Sequence, residues 1–219
     1  VKPFRVVLAD PPWEFRNRHE VRKDGKKTRF GIGVAARYSA GVMNVEAIAN
    51  LPVGDVCTPD ALLFIWGTWP TIHDCLRVVD GWGFHYGTCA FMWEKLYSNG
   101  DSFAGAGRYT FSNTEFVLVA RRGSLWHPRE GRKPRQVHRC EHPKADGKII
   151  HSRKPYYFAD QIQEWLGPHV HAGGFLELFA TEKREGWYCV GHEIDRRDIR
   201  HVLPEMALKI NVGRLDGET

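Results

Sequence analysis

The stretch Phe4-Arg5-Val6-Val7-Leu8-Ala9-Asp10-Pro11-Pro12-Trp13 decides how the rest of the chain is read. Residues 4–9 are a short, mostly apolar run containing two adjacent valines, the make-up of a strand buried in a sheet. Two prolines in succession cannot extend a central strand, because neither has an N–H to give to the ladder. The strand therefore stops at Ala9, and Asp10 to Trp13 sit at its carboxyl end. In open α/β sheets, ligands bind just outside such ends.

Reading outward, residues 14–37 are polar, basic and glycine-containing, and form an expected loop. The spacing of Val45, Ile48, Ala49 and Leu51 predicts a helix over 43–51. Residues 61–66 are a nearly continuous apolar run, as in a strand covered on both faces. A helix is expected over 72–79, punctuated by Gly81 and Gly83. Strands follow over 86–93 and 115–120, with a Gly/Ser-rich loop at 95–110 between them. A helix over 155–166 begins with Pro155, a favoured first helical residue, and closes before Gly167-Pro168. Strands over 175–180 and 187–190 and a terminal helix over 197–208 complete the series. Strands alternate with helices, so the expected fold is α/β, with a mostly parallel central sheet flanked by helices. Glu193 and Asp195 fall after the last strand, at another ligand-binding end. Trp66, Trp69, Trp82 and Trp93 are expected in or near the core.

The chain has 219 residues, which suits one compact domain over 1–219. Its net charge of +5 is unevenly spread. Residues 14–37 carry a net +5 and residues 121–148 a net +6, which leaves −6 on the remainder. Confinement of positive charge to two loop-like stretches is what a polyanion-binding rim produces; two solvated basic loops are the plainer alternative. Five widely spaced cysteines without a Cys-x-x-Cys read as reduced thiols. No apolar run is long enough to span a membrane. Residues 1–9 lack the layout of a secretory signal, so a cytoplasmic protein is expected.

Asp10 and the two prolines carry chemistry as well as topology. The exocyclic amine of adenine is a poor nucleophile, because its lone pair is delocalised into the ring. A methyltransferase must orient that amine toward the methyl donor. The Asp10 carboxylate can accept one N–H, and the Pro11 carbonyl can accept the other. Pro11 and Pro12 stiffen the backbone, so the acceptors need little reorganisation. Trp13 is expected to offer an aromatic face to an extruded base. A sulfonium donor brings its own leaving group, so positioning dominates the rate and no metal is required. His138, Cys140 and His142 alternate, but that spacing is tight for tetrahedral zinc and no second ligand pair accompanies it. Arg132, Lys133 and Arg135 suit phosphate contacts better.

The chain resembles the permuted adenine-N6 methyltransferases with a DPPW motif, which include the catalytic subunit of the eukaryotic mRNA methyltransferase and bacterial and phage DNA-modifying relatives. The resemblance rests on residues 6–13, then Tyr38-Ser39 before Met43, and Leu63-Phe64-Ile65-Trp66. It continues through Gly107-Arg108-Tyr109, Asn113-Thr114-Glu115, His151-Ser152-Arg153-Lys154-Pro155 and Leu176-Glu177-Leu178-Phe179-Ala180. It implies a Rossmann-like methyltransferase fold and S-adenosylmethionine as cofactor. By the same resemblance Asp10 touches cofactor and target amine, and Lys154 contacts cofactor and target pocket. Tyr38 and Glu115 lie near the target adenosine, and His192 and Glu193 meet the cofactor ribose.

The chain departs from the family at Thr181, where an arginine is usual; the ribose contact either passes to Lys183 or Arg184 or is absent. Because the chain is short and carries its own basic loops, DNA is the expected substrate. RNA, cytosine N4 and a catalytically silent subunit supporting an active paralogue are the alternatives. A homodimer or a paralogous second subunit is left open as partner.

Overall fold

The computed structural model describes residues 2–14, 41–105, 107, 109–124, 133–150, 153–170 and 174–215. The 14–37 loop, apart from Glu14, lies outside them, and with it Tyr38; so do Arg132, Arg108 and the His151-Ser152 pair.

Strand β1 spans Phe4–Ala9, and helix α1 covers Val45–Ala49. Strand β2 (Cys57–Gly67) leads through a 3-10 turn at Trp69–Thr71 into α2 (Ile72–Gly81). Strands β3 (His85–Leu96), β4 (Thr114–Arg122) and β5 (Val137–Glu141) follow, then a small hairpin of β6 (Lys144–Ala145) and β7 (Lys148–Ile149). Helix α3 (Tyr156–Leu166), strands β8 (Phe175–Leu178) and β9 (Trp187–Val190), α4 (His192–Asp195) and α5 (Ile199–Leu215) complete the order.

Seven strands form one sheet in the order β5-β3-β4-β2-β1-β8-β9. β1 pairs in parallel with β2 and β8, and β8 with β9. β4 runs antiparallel between β2 and β3, and β5 returns parallel to β3. The sheet is thus mostly parallel, with one reversed strand. The chain leaves β1 toward β2 on one side and returns to β8 on the other, so β1 sits at the topological switch point. A crevice opens outside the carboxyl ends there.

Alternation along each strand builds a core on either side of the sheet. Val7 and Ala9 of β1, Leu63 and Ile65 of β2, and Phe116 and Leu118 of β4 face one way and meet α1, α2 and α5. Val6, Leu8, Phe64, Trp66 and Val117 face the other way and meet Phe158, Ala159, Ile162 and Leu166 of α3. Each such large side chain stabilises the fold by roughly 1.5–3 kcal/mol on burial. This two-sided burial explains why the central strands read as continuous apolar runs rather than as alternations.

Three features differ from expectation. Within the 121–148 stretch, expected to be loop, residues 121–122 end β4 and β5 forms an edge strand; its exposed and half-buried pattern hid it from an apolar-run search. Pro155 stands one residue before α3, in extended geometry, rather than in its first turn. Trp66, Trp82 and Trp93 are buried as expected, but Trp69 is 51% exposed. Among the described residues, no helix is long and apolar enough to cross a membrane.

Candidate active site

Asp10 leaves the end of β1 with its N–H donated to Leu178 O of β8. The two prolines then turn the chain. The Trp13 N–H closes back on Pro11 O at 2.8 Å, and the Met43 N–H bonds Pro12 O at 2.9 Å. A carbonyl has two lone pairs, so Pro11 O keeps capacity for a second donor. Pro11, Pro12 and Trp13 are all buried. The turn is therefore held from both sides by backbone bonds and by packing.

Trp13 is not placed as the sequence suggested. Its ring is only 5% exposed and packs in the core with Val45 and Ile48 of α1. Its indole N–H donates to Trp66 O at 3.0 Å. An indole anchored in this way fixes the Asp10 turn onto β2, but it does not present an open face to a base.

Lys154, just ahead of α3, brings three strands together. Its ammonium lies 3.1 Å from Asp10 Oδ1 and 3.2 Å from Glu115 Oε2 near the start of β4, and 5.4 Å from the Trp66 ring centroid. Glu115 Oε1 also meets Lys95 Nζ, from the end of β3, at 2.5 Å. A cation beside the N-terminal end of a helix is badly placed against the helix dipole. The two carboxylates supply the compensation.

The electrostatics separate the two acids. Burial raises the Asp10 carboxyl above its ordinary value; Lys154 opposes this and Glu115 adds to it. Burial also works to raise Glu115, but Lys154 and Lys95 outweigh it and hold it down at about 2. Glu115 has two ammonium neighbours, whereas Asp10 shares one. Glu115 is thus held as an anion by its two ammonium neighbours, while burial leaves the Asp10 carboxyl raised above its ordinary value.

A pocket opens beside this cluster. Asp10, Trp66, Arg153, Lys154, Phe158, Glu177, Phe179, Thr181 and Arg184 are among the residues lining it. Arg184 Nε lies 3.2 Å from Glu177 Oε2 and its Nη1 lies 3.3 Å from Asp160 Oδ1, with the guanidinium 5.2 Å from the Tyr156 ring centroid. Burial raises the Glu177 carboxyl and Arg184 opposes it. Arg153 Nε is buried without a hydrogen-bond partner among the described residues.

The structure brings Asp10, Glu115 and Lys154 together. His192 and Glu193 open α4 beyond β9, outside the pocket lining. Lys133 and Arg135 are exposed ahead of β5. His138, considered for zinc, lies flat on Tyr157 with ring centroids 3.5 Å apart. Sequence reasoning missed Lys95, Glu177 and the exposure of Trp69. Lys95 gave no clear signal, since the sequence reading put residue 95 in a loop, whereas β3 runs on to Leu96. Glu177, an acid inside the apolar run of β8, did give one.

An open sheet with an Asp-Pro-Pro-Trp turn at its switch point, beside a charged pocket, is the framework of a Rossmann-like adenine-N6 methyltransferase. The MT-A70 family model matches residues 4–193, and the chain belongs to that family. It is similar to the type II methyltransferase M.MunI of Mycoplasma sp, with 32% identity over 203 residues, covering 88% of this chain and 78% of the relative. It is also similar to the N6-methyladenosine RNA methyltransferase MTA1 of Cryphonectria parasitica, at 24% over 199 residues, and to the mouse N(6)-adenine-specific methyltransferase METTL4, at 26% over 204 residues. These matches cover 87% and 88% of this chain, but 52% and 38% of those two relatives.

Proposed function

We propose that this chain transfers a methyl group from S-adenosylmethionine to the N6 amine of adenine in DNA. The observation that carries this reading is the Asp10–Lys154–Glu115 cluster, set against a buried proline turn at the sheet's switch point. The similarity to M.MunI over most of both chains favours DNA. The similarity to the fungal enzyme named for RNA keeps RNA as the second reading.

The pocket residues fit the cofactor. Lys154 suits the carboxylate of its amino-acid part and Asp10 its ammonium, while Leu8, Phe158 and Phe179 offer apolar wall. Arg153 Nε is a buried donor in want of an acceptor in the same pocket. On the family resemblance His192 and Glu193 would take the ribose. When bound, the cofactor supplies an electrophilic methyl on a sulfonium leaving group.

The protein's own part is positioning. Asp10 accepts one amine hydrogen through its carboxylate, and Pro11 O accepts the other through its remaining lone pair. The buried turn holds both acceptors in place before substrate arrives, so little reorganisation is needed at reaction. Glu115 keeps Lys154 from neutralising Asp10 outright, because the ammonium is shared. Lys133 and Arg135, with Arg132 and Tyr38, are proposed to hold the strand. The sheet runs from Phe4 to Val190, which supports one methyltransferase domain over residues 1–219. The basic loops support a nucleic-acid partner; a homodimer or paralogous subunit remains a proposal.

The test is methyl transfer from labelled S-adenosylmethionine to single-stranded DNA, duplex DNA and RNA, read by nucleoside mass spectrometry. N6-methyldeoxyadenosine is the expected product. Product only in RNA moves the reading to RNA. N4-methylcytosine, or no product from protein shown to bind cofactor, overturns it.

A further inference from the structure

We propose that Trp69 is a stacking platform for an unstacked nucleobase of the bound strand. This rests on the chain acting on nucleic acid. Bringing an adenine amine to Asp10 requires that base to leave its stack, and the loss is offset when bases restack on aromatic side chains. Trp13 is buried with its N–H committed to Trp66 O, so it cannot serve.

Trp69 can. It follows the carboxyl end of β2, the strand beside β1, on the side of the sheet where Asp10 emerges. Its indole N–H donates to Thr114 Oγ1 at 2.9 Å, and Thr114 immediately precedes Glu115. The ring stands edge-on to Phe116, with centroids 5.1 Å apart. Below it, Thr68 and Thr71 cap the 3-10 turn reciprocally, and Pro70 stiffens it. Gly67 is required just before the turn, since a Cβ there would lie 2.5 Å from Cys75 Sγ and 2.6 Å from the Phe116 ring. The indole is thus held in orientation at its edge and N–H while half its surface stays in water. A large aromatic held exposed at the carboxyl edge of β2, next to the strand that delivers Asp10, offers a fixed flat face, and a nucleobase is the flat partner this enzyme handles.

The experiment measures binding of dye-labelled oligodeoxyadenylate, and of an abasic oligonucleotide of the same length, by fluorescence anisotropy with wild type, Trp69→Ala and Trp69→Phe. Trp69→Ala is expected to weaken binding of the base-bearing strand by about 5- to 150-fold. It should leave binding of the abasic strand unchanged, and Trp69→Phe should retain most of the affinity. Unchanged affinity for oligodeoxyadenylate in Trp69→Ala, or equal losses on both strands, overturns the proposal. Cofactor binding by calorimetry, unchanged in Trp69→Ala, separates loss of stacking from loss of fold. Because the readout is binding, a wild type that methylates no adenine sinks the proposed function without deciding the role of Trp69.

Discussion

Lys154 Nζ lies 3.1 Å from Asp10 Oδ1 and is shared with Glu115, so one ammonium ties the end of β1 and the start of β4 to the approach of α3. Burial has already raised the Asp10 carboxyl, and Lys154 is what opposes that rise. Replacing Lys154 with Met removes the opposition. Asp10 then protonates at higher pH and loses its role as an acceptor. We expect methyl transfer to fall by about 100-fold near neutral pH, in the range for loss of one preorganised polar group. The acid limb of the pH–rate profile should move to higher pH. A variant with an unmoved acid limb removes Lys154 from this role.

Asp10→Ala takes away the side-chain acceptor for the amine. The expected loss of transfer is at least 100- to 1,000-fold. The core side chains are untouched, so the far-ultraviolet dichroism spectrum should match wild type. Single-turnover methyl transfer is the measurement, and a rate near that of wild type refutes the mechanism.

Lys95 and Lys154 hold Glu115 down at about 2, from an ordinary value of 4.5. A depressed acid stabilises the fold above its unfolded value, and that contribution is lost as pH falls through the folded value. Between pH 4.5 and about 2 the wild type should therefore lose stability through Glu115. Lys95→Met raises the folded value toward the unfolded one. The variant is expected to have a lower melting temperature at pH 7 and a shallower fall across that window. Calorimetric melting from pH 7 to pH 2 checks both. The Asp10 shift has the opposite sign but is present in both proteins.

Trp13→Phe keeps most of the buried ring volume and deletes the indole N–H that bonds Trp66 O. The loss is expected to be about 1–3 kcal/mol of stability, for a buried carbonyl left with only the weak Cys75 thiol as donor. Affinity for single-stranded DNA should not change, because the ring is buried. Chemical denaturation and anisotropy titration measure the two effects. A large loss of affinity with intact stability would return the stacking role to Trp13.

Much of the framework was legible because it depends on local rules. The apolar run of β1, its termination at Pro11-Pro12 and the continuous run inside β2 follow from which residues can join a buried ladder. β5 was not legible, since an edge strand with half-exposed side chains has no apolar run to betray it. The triad of Asp10, Glu115 and Lys154 was assembled from the family resemblance. Lys95 went unnoticed because it becomes a neighbour of Glu115 only when β3 and β4 pair.

The two tryptophans mark the boundary most clearly. By itself the sequence determined where β1 stops, which acid stands at its end and that the fold is α/β, because proline and apolar periodicity act over a few residues; that the chain is a methyltransferase came from its Asp-Pro-Pro-Trp motif and the family resemblance. It could not determine which indole is walled in and which is open to water. Burial of a large side chain depends on what other elements bring against it. Only the tertiary structure decided that α1 and β2 close over Trp13, while the turn after Gly67 leaves Trp69 exposed at the carboxyl edge of the sheet.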